Sequence, residues 1–378
     1  MLSTSRTEAP VVRETDGNPV REAVERFAAR QLAVWRDQPA RVPQDDEVAA
    51  VVAAAGEAGL LARDGVAGHW WRAGDGIDAR DACAMLDILG GHHAGLAFHL
   101  HRLALGEWLQ ARLGLEVGGR DVRVLPWLPD GHVLSSTAFV RFLARGVPLP
   151  VDAALLPVPG AALRWQAAPV WDALLVPVQT ETAVSWHRLP RNAWAVDARR
   201  GHGLDGTLAH RALAPEALSA AEASLSGGEA AGVFIELLGR DAMGLMAIAL
   251  GVVRRAGVLA RNQADIRVQG GKHIREHAAV QLLLADAQAA VECSETLLSS
   301  FAAPPDALAG LRRLCAQRLV AHDLLCRGAN AAMQVFGGMG YMRDVGLERA
   351  VRDNNQLRVT SGAPGDLKLF ITRAEQQS

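Results

Sequence analysis

Apolar residues recur at helical spacing along most of the chain. The segments VREAVERFAARQLAVW, DEVAAVVAAAGEAGLLA and DARDACAMLDILGGHHAGLAFHLHRLALGEWLQARLG place them at i, i+3, i+4 and i+7 with alanine between, which predicts an N-terminal helical domain over residues 1–128. The texture changes over 129–224, where Pro148, Pro150, Pro157, Pro159, Pro169, Pro177 and Pro190 separate short β-rich runs such as WDALLVPV and NAWAVDA. A small, barrel-like middle β domain is expected there. After Ser226-Gly227-Gly228 the helical period returns and fills 225–378, interrupted by Gly270-Gly271 and Pro304-Pro305. Stretches of that length suit a C-terminal four-helix bundle that also pairs with copies of itself. The expected class is mainly α with a small β domain.

With 378 residues and half of them apolar, the chain is long enough for two or three packed domains. Its 39 Lys+Arg against 41 Asp+Glu leave a net charge of −2, which provides no basic field for nucleic acid or an anionic membrane. Cys83, Cys293, Cys315 and Cys326 stand far apart, without the spacing of a zinc site or a disulfide framework. Charges at Arg6, Glu8, Arg13 and Glu14 interrupt any secretion-type apolar run, and the apolar stretch from Gly244 to Val253 ends at Arg254-Arg255, well short of a bilayer span. A reduced, cytoplasmic protein with no membrane or nucleic-acid partner is expected.

The usual Rossmann, P-loop, serine-hydrolase and zincin signatures are missing from the sequence. His92, His93, His99 and His101 crowd together, but His99 and His101 point to different faces of a helix and read as hydrogen-bonded or surface histidines. Two segments of the last third carry more than a plain bundle needs. In RVQGGKHIREHAAVQLLLAD a guanidinium at the mouth of a long helix precedes two glycines, a plausible anion clamp, although alone it reads as a charged helix end beside a turn. In QVFGGMGYMRDVGLERAVRDNN, Gly337, Gly338 and Gly340 let backbone N–H groups approach a ligand, or form a tight interhelical turn.

Together these segments resemble the acyl-CoA dehydrogenase family of flavoproteins. Arg267, Gly270-Gly271 and Ala285-Asp286 keep the frame of one family motif; Gln334, Gly337, Gly338, Gly340, Tyr341, Glu348-Arg349 and Arg352-Asp353 keep another. The resemblance implies the order helical domain, β domain, helical bundle over nearly the whole chain. It also implies FAD as cofactor, and an acyl-CoA or acyl-carrier thioester as substrate. Assembly follows from it too, as a homodimer or homotetramer, or as a heterotetramer with a paralogous subunit. Arg267 is then expected to reach across a dimer interface to the diphosphate of the neighbouring FAD, where a planar bidentate donor suits the charge. His277 falls at a further cofactor-contacting position, and Gln334, Val335, Gly337 and Gly338 lie along the adenosine half.

Two departures bear on the chemistry. Removing a proton α to a thioester carbonyl needs a positioned carboxylate, which the family usually supplies as a Glu before a Gly; here that pair is Ser361-Gly362. Some members carry the base on the first helix of the bundle instead, at the position of Asp241, which is therefore a candidate base, with an ion pair to Arg240 as the ordinary alternative. Arg240 is a candidate contact for the thioester or its nucleotide tail. The β domain also lacks the family's Thr-Glu-Pro-x-x-Gly-Ser-Asp opening and its Trp-Ile-Ser/Thr segment, with Ser135, Ser136, Thr137, Trp165 and Trp171 as substitutes. Three readings follow: an α,β-dehydrogenase of acyl thioesters, a catalytically incomplete subunit of a hetero-oligomeric dehydrogenase, and a flavin oxidase or monooxygenase on the same fold.

Overall fold

Periodicity becomes packing in the computed structural model, which describes residues 19–64, 68, 70, 71, 78–117, 122–150 and 155–377. The segment before Pro19, read above for a secretion signal, lies outside the described residues. Helices α1 (Pro19–Gln31), α2 (Ala33–Asp37), α3 (Asp45–Glu57), α4 (Ala79–His92) and α5 (Ala94–Arg112) form the N-terminal part. Each of the last two starts on a side chain that satisfies free backbone N–H groups: Asp78 caps α4, and the His93 ring accepts from Leu96 N to cap α5. Helix α5 is apolar around most of its circumference and buried almost throughout, so it forms the centre of the molecule rather than a face of it.

The stretch after β1 (Val124–Pro126), expected as strands, opens instead on two short helices, α6 (Gly131–Ser135) and α7 (Thr137–Arg145). Asp130 caps the first and Ser136 the second, while Gly146 ends α7 in the left-handed region at φ 65°. Of the substitute hydroxyls, Ser136 is thus a helix cap, and the Ser135 carbonyl accepts from Arg373. Strands β2 (Ala162–Ala167), β3 (Ala173–Gln179), β4 (Ala183–Pro190), β5 (Val196–Arg200), β6 (Leu208–Leu213) and β7 (Ala223–Ser226) follow. Among the described residues they make two sheets, ordered β1-β3-β4-β7 and β2-β6-β5, with β1 parallel to β3 and the other pairs antiparallel.

Helix α8 (Gly227–Ile266) begins on a Ser226/Glu229 capping box and runs for 40 residues. It is long and apolar enough to cross a membrane, yet 78% of its most apolar window is buried inside the protein, as a core helix requires. A hairpin of β8 (Val268–Gln269) and β9 (Lys272–His273) turns on Gly270-Gly271, whose φ of 64° and 81° suits a two-residue connection. Helices α9 (Ala278–Ser299), α10 (Leu308–Val335), α11 (Leu347–Val359) and α12 (Pro364–Glu375) complete the bundle.

Helix α8 crosses α4 backbone against backbone. A Cβ on Gly251 would come 1.9 Å from the Asp87 carbonyl oxygen, and one on Gly90 would come 2.5 Å from that of Ile248. Gly251→Ala is therefore expected to push the two helices apart and cost about 1–3 kcal/mol, as overpacking does; denaturant unfolding measures the loss.

Candidate active site

A cavity of about 450 Å³ opens between the β2-β6-β5 sheet, the β1–α6 segment, α5 and the turn after α11. Its floor follows from the pleat. The register pairs Arg164 with Arg211 and Arg211 with Asp197, and in the next row Gln166 with Ala209 and Ala209 with Arg199, so these side chains share one sheet face. Gln166 is fixed by Thr207 and Gln356. Trp165 borders the cavity through the same strand, its ring stacked on His210 at 5.2 Å and on Trp194 at 5.4 Å, and Trp171 packs edge-on to it. Trp171, offered above as a substitute aromatic wall, is buried and does not border the cavity, whereas Trp165 does.

The wall opposite the floor contains Thr360, Ser361 and Arg102. Ser361 adopts φ 53° and Gly362 φ 115°, a sharp bend between α11 and α12. For serine that conformation is strained, and guanidiniums hold it from behind. Arg318 on α10 donates to the Thr360 carbonyl and, at 3.2 Å, to the Ser361 carbonyl, and Arg102 on α5 donates through Nη2 to the Ser361 hydroxyl at 3.0 Å.

Asp241 on α8 lies behind this wall and does not border the cavity. Its side chain is 1% exposed, with Oδ1 2.8 Å from Arg102 Nη1 and 3.5 Å from His101 Nε2. Burial pushes its carboxyl upward, but Arg102, His101 and Arg318 together hold it well below the usual carboxylate range. His101 accepts from Trp71 Nε1 through Nδ1, which leaves Nε2–H facing the carboxylate, and burial keeps its ring neutral. Asp241 is thus neither exposed nor paired with Arg240. Arg240 stacks on Trp108 at 4.1 Å and donates to Glu236; burial brings its pKa down to about 10, and it does not reach the cavity. A carboxylate at Gly251 has no room, because the α4 backbone occupies that space.

The cofactor-motif residues gather elsewhere, at one end of the bundle. Arg267 ends α8, and its Nη1 lies 3.5 Å from the Phe336 carbonyl, beside the Gln334–Gly338 turn. Gln334 is exposed, Gly337 and Gly338 face open space, and Val335 is buried in the core rather than available to a ligand. His277 donates to Gln269 O at 3.0 Å and sits under the hairpin. The charges that follow are pins: Arg349 donates to Trp35 O and Pro39 O, Arg352 pairs with Asp205 at 3.2 Å, and Asp353 accepts from Leu204 N at 2.7 Å. None of these residues touches a described His/Cys/Asp/Glu group placed to hold a metal ion, and no such group exists among the described residues.

Sequence reasoning missed Arg102, Arg164 and Arg211. The signal for Arg102 was present, since a charged residue inside a helix that is apolar on every side must be buried and paired.

Residues 231–374 match the family profile for the acyl-CoA dehydrogenase C-terminal domain. The chain is 34% identical over 129 residues to cyclohex-1-ene-1-carbonyl-CoA dehydrogenase of Geobacter metallireducens, covering 33% of this chain and 34% of the relative. It is 30% identical over 129 residues to 3-sulfinopropanoyl-CoA desulfinase of Paraburkholderia xenovorans, covering 34% and 33%. The alignable part thus spans about a third of those relatives. The fold extends further: butyryl-CoA dehydrogenase from Megasphaera elsdenii superposes with a TM-score of 0.72 at 17% identity, covering 96% of this chain and all of that one (100%).

Replacing Asp241 by Asn leaves Arg102 buried without a counter-charge. The expected cost is about 3–5 kcal/mol at neutral pH. The carboxyl's pKa is lower in the folded chain than the unfolded value near 3.9. The pair therefore stabilises fully above that unfolded value, and the contribution fades as pH falls below it. Denaturant unfolding of wild type and Asp241→Asn from pH 7 to pH 3 should show a constant gap down to about pH 4 that only begins to narrow towards about pH 3.

Proposed function

We propose that this chain, whose residues 231–374 match the acyl-CoA dehydrogenase C-terminal domain, is an FAD-dependent flavoprotein of that family acting on an acyl thioester in the cavity between the sheet floor and the Ser361 wall. The supporting observation is positional: residue 361, where the family usually carries its base, borders that cavity in a chain with the full fold. The residues present fit the cofactor. Arg164 and Gln166 offer donors beneath a flat ligand, and Arg267 beside the open Gly337-Gly338 turn offers a fork for a diphosphate. When bound, FAD supplies a hydride acceptor for the β-carbon of the thioester.

Arg267, Gln334, Gly337 and Gly338 do not border the cavity, so in this reading they hold the dinucleotide tail of a flavin seated in a second chain. Exposed Ile266, Val268, Met339, Tyr341 and Met342 flank them, apolar area that suits a dimer or tetramer interface. His277, tied to the hairpin carbonyl, positions the turn that carries Arg267.

The chain's own residues do not place a carboxylate base on the substrate at either family position. Ser361 is a hydroxyl already accepting from a guanidinium, and Asp241 is a poor proton acceptor because its ionised form is held by Arg102 behind the wall. That favours, as a second reading, a subunit that needs a partner chain for proton removal, over a dehydrogenase using Asp241. An oxidase or monooxygenase, which needs no such base, remains a third outcome of the same test.

The purified chain is expected to be yellow, with an oxidised flavin spectrum; a colourless protein that gains flavin only with a co-expressed paralogue would assign it to the hetero-oligomer. In anaerobic mixing with acyl-CoA, a general base contributes about 10²–10⁴-fold. Asp241→Asn is expected to change the bleaching rate per folded protein by less than tenfold, and a loss within the larger range would restore Asp241 as the base.

A further inference from the structure

The wall of the cavity carries a charge imbalance. Arg102 and Arg318, 6% and 2% exposed, both face Asp241, the one carboxylate that either meets there among the described residues, and His101 beside them is neutral. A buried cluster with one uncompensated positive charge is costly unless something balances it. Its outlet is the cavity, because Arg102 borders it while Asp241 and Arg318 do not. A guanidinium has five N–H donors, and Arg102 commits Nη2 to Ser361; Nη1 lies 2.8 Å from Asp241 without hydrogen-bond geometry.

The floor adds to the same field. Arg164 and Arg211 stand directly opposite each other on neighbouring strands at the solvent-exposed side of the cavity, with Asp197 opposite Arg211 in the same row and engaged by Arg199. A neutral acyl chain would leave the buried, uncompensated Arg102 charge facing hydrocarbon. We propose that the substrate of this cavity is an acyl thioester whose acyl group is itself anionic, bearing a carboxylate or comparable oxyanion held by the Arg102 guanidinium and the Ser361 hydroxyl. The substrate then brings the negative charge that a family base would have brought, and the buried cluster becomes neutral. This rests on the acyl-thioester reading above and goes beyond it to the substrate class.

The test is a matched pair of ligands differing only at the acyl terminus, glutaryl-CoA and valeryl-CoA, titrated calorimetrically into the full-length chain. Charge-assisted bonding predicts that wild type binds glutaryl-CoA about tenfold to a hundredfold more tightly. In Arg102→Met, with folding checked by melting and circular dichroism, the preference should fall to within about twofold. If that variant does not fold, Ser361→Ala carries the same question: several-fold weaker glutaryl-CoA binding with valeryl-CoA unchanged supports the proposal, and equal losses overturn it. Equal affinities in wild type, or a preference that survives Arg102→Met, also overturn it while leaving the acyl-thioester reading intact. Equal affinities together with a lowered flavin reduction potential in Arg102→Met would assign the cation to the cofactor. Binding of neither ligand removes both readings.

Discussion

The contact between Arg102 and Asp241 joins the two helices that organise this protein. One charge comes from α5 and the other from α8, and both helices are apolar nearly all round, so neither charge has water to retreat to. Arg318 extends the cluster to α10, and through the Ser361 hydroxyl and two carbonyls it extends to the bend after α11. Four elements from distant parts of the sequence are thereby held in one register at the cavity wall. Buried ion pairs of this kind are modest contributors to net stability, but they tolerate the loss of a partner badly, which makes them effective at specifying a unique arrangement.

That arrangement inverts the electrostatics expected of a proton-abstracting site. In the function proposed above, a hydroxyl backed by a guanidinium stands where the family usually carries a carboxylate, and the Asp241 carboxylate lies one layer inward as the counter-ion. Arg267 and the open Gly337-Gly338 turn lie together at the end of the bundle, away from the cavity. The scaffold is that of butyryl-CoA dehydrogenase while the cavity wall carries its own arrangement of charges, in keeping with the rule that function resides in sites set upon folds.

Much of the fold was legible in the sequence, because α1, α3, α5 and the long bundle helices follow apolar periodicity, and β3 and β5 fall in the runs WDALLVPV and NAWAVDA. The helices α6 and α7 were not expected: the prolines downstream suggested strands, while the caps Asp130, Ser136 and Gly146 were the available signal. The site was legible only in part. Arg267 and the Gln334–Gly338 turn, far apart in sequence, do meet. For Asp241, read as a candidate base with an ion pair to Arg240 as the alternative, the partner is instead Arg102 on α5, because adjacent helical positions point about 100° apart. Pairings of that separation leave no periodic trace, so the sequence marked Arg102 as buried by its apolar helix but did not tell which residue it pairs with.

The crossing of α4 and α8 has a consequence for how the molecule divides. The portion recognisable by sequence, 231–374, is no self-sufficient module, since the groove around Gly251 is moulded to the Asp87 carbonyl of a helix outside it. Excised, that portion would present a long greasy seam to solvent. A bundle of this shape therefore requires a partner helix of matching shape from outside residues 231–374.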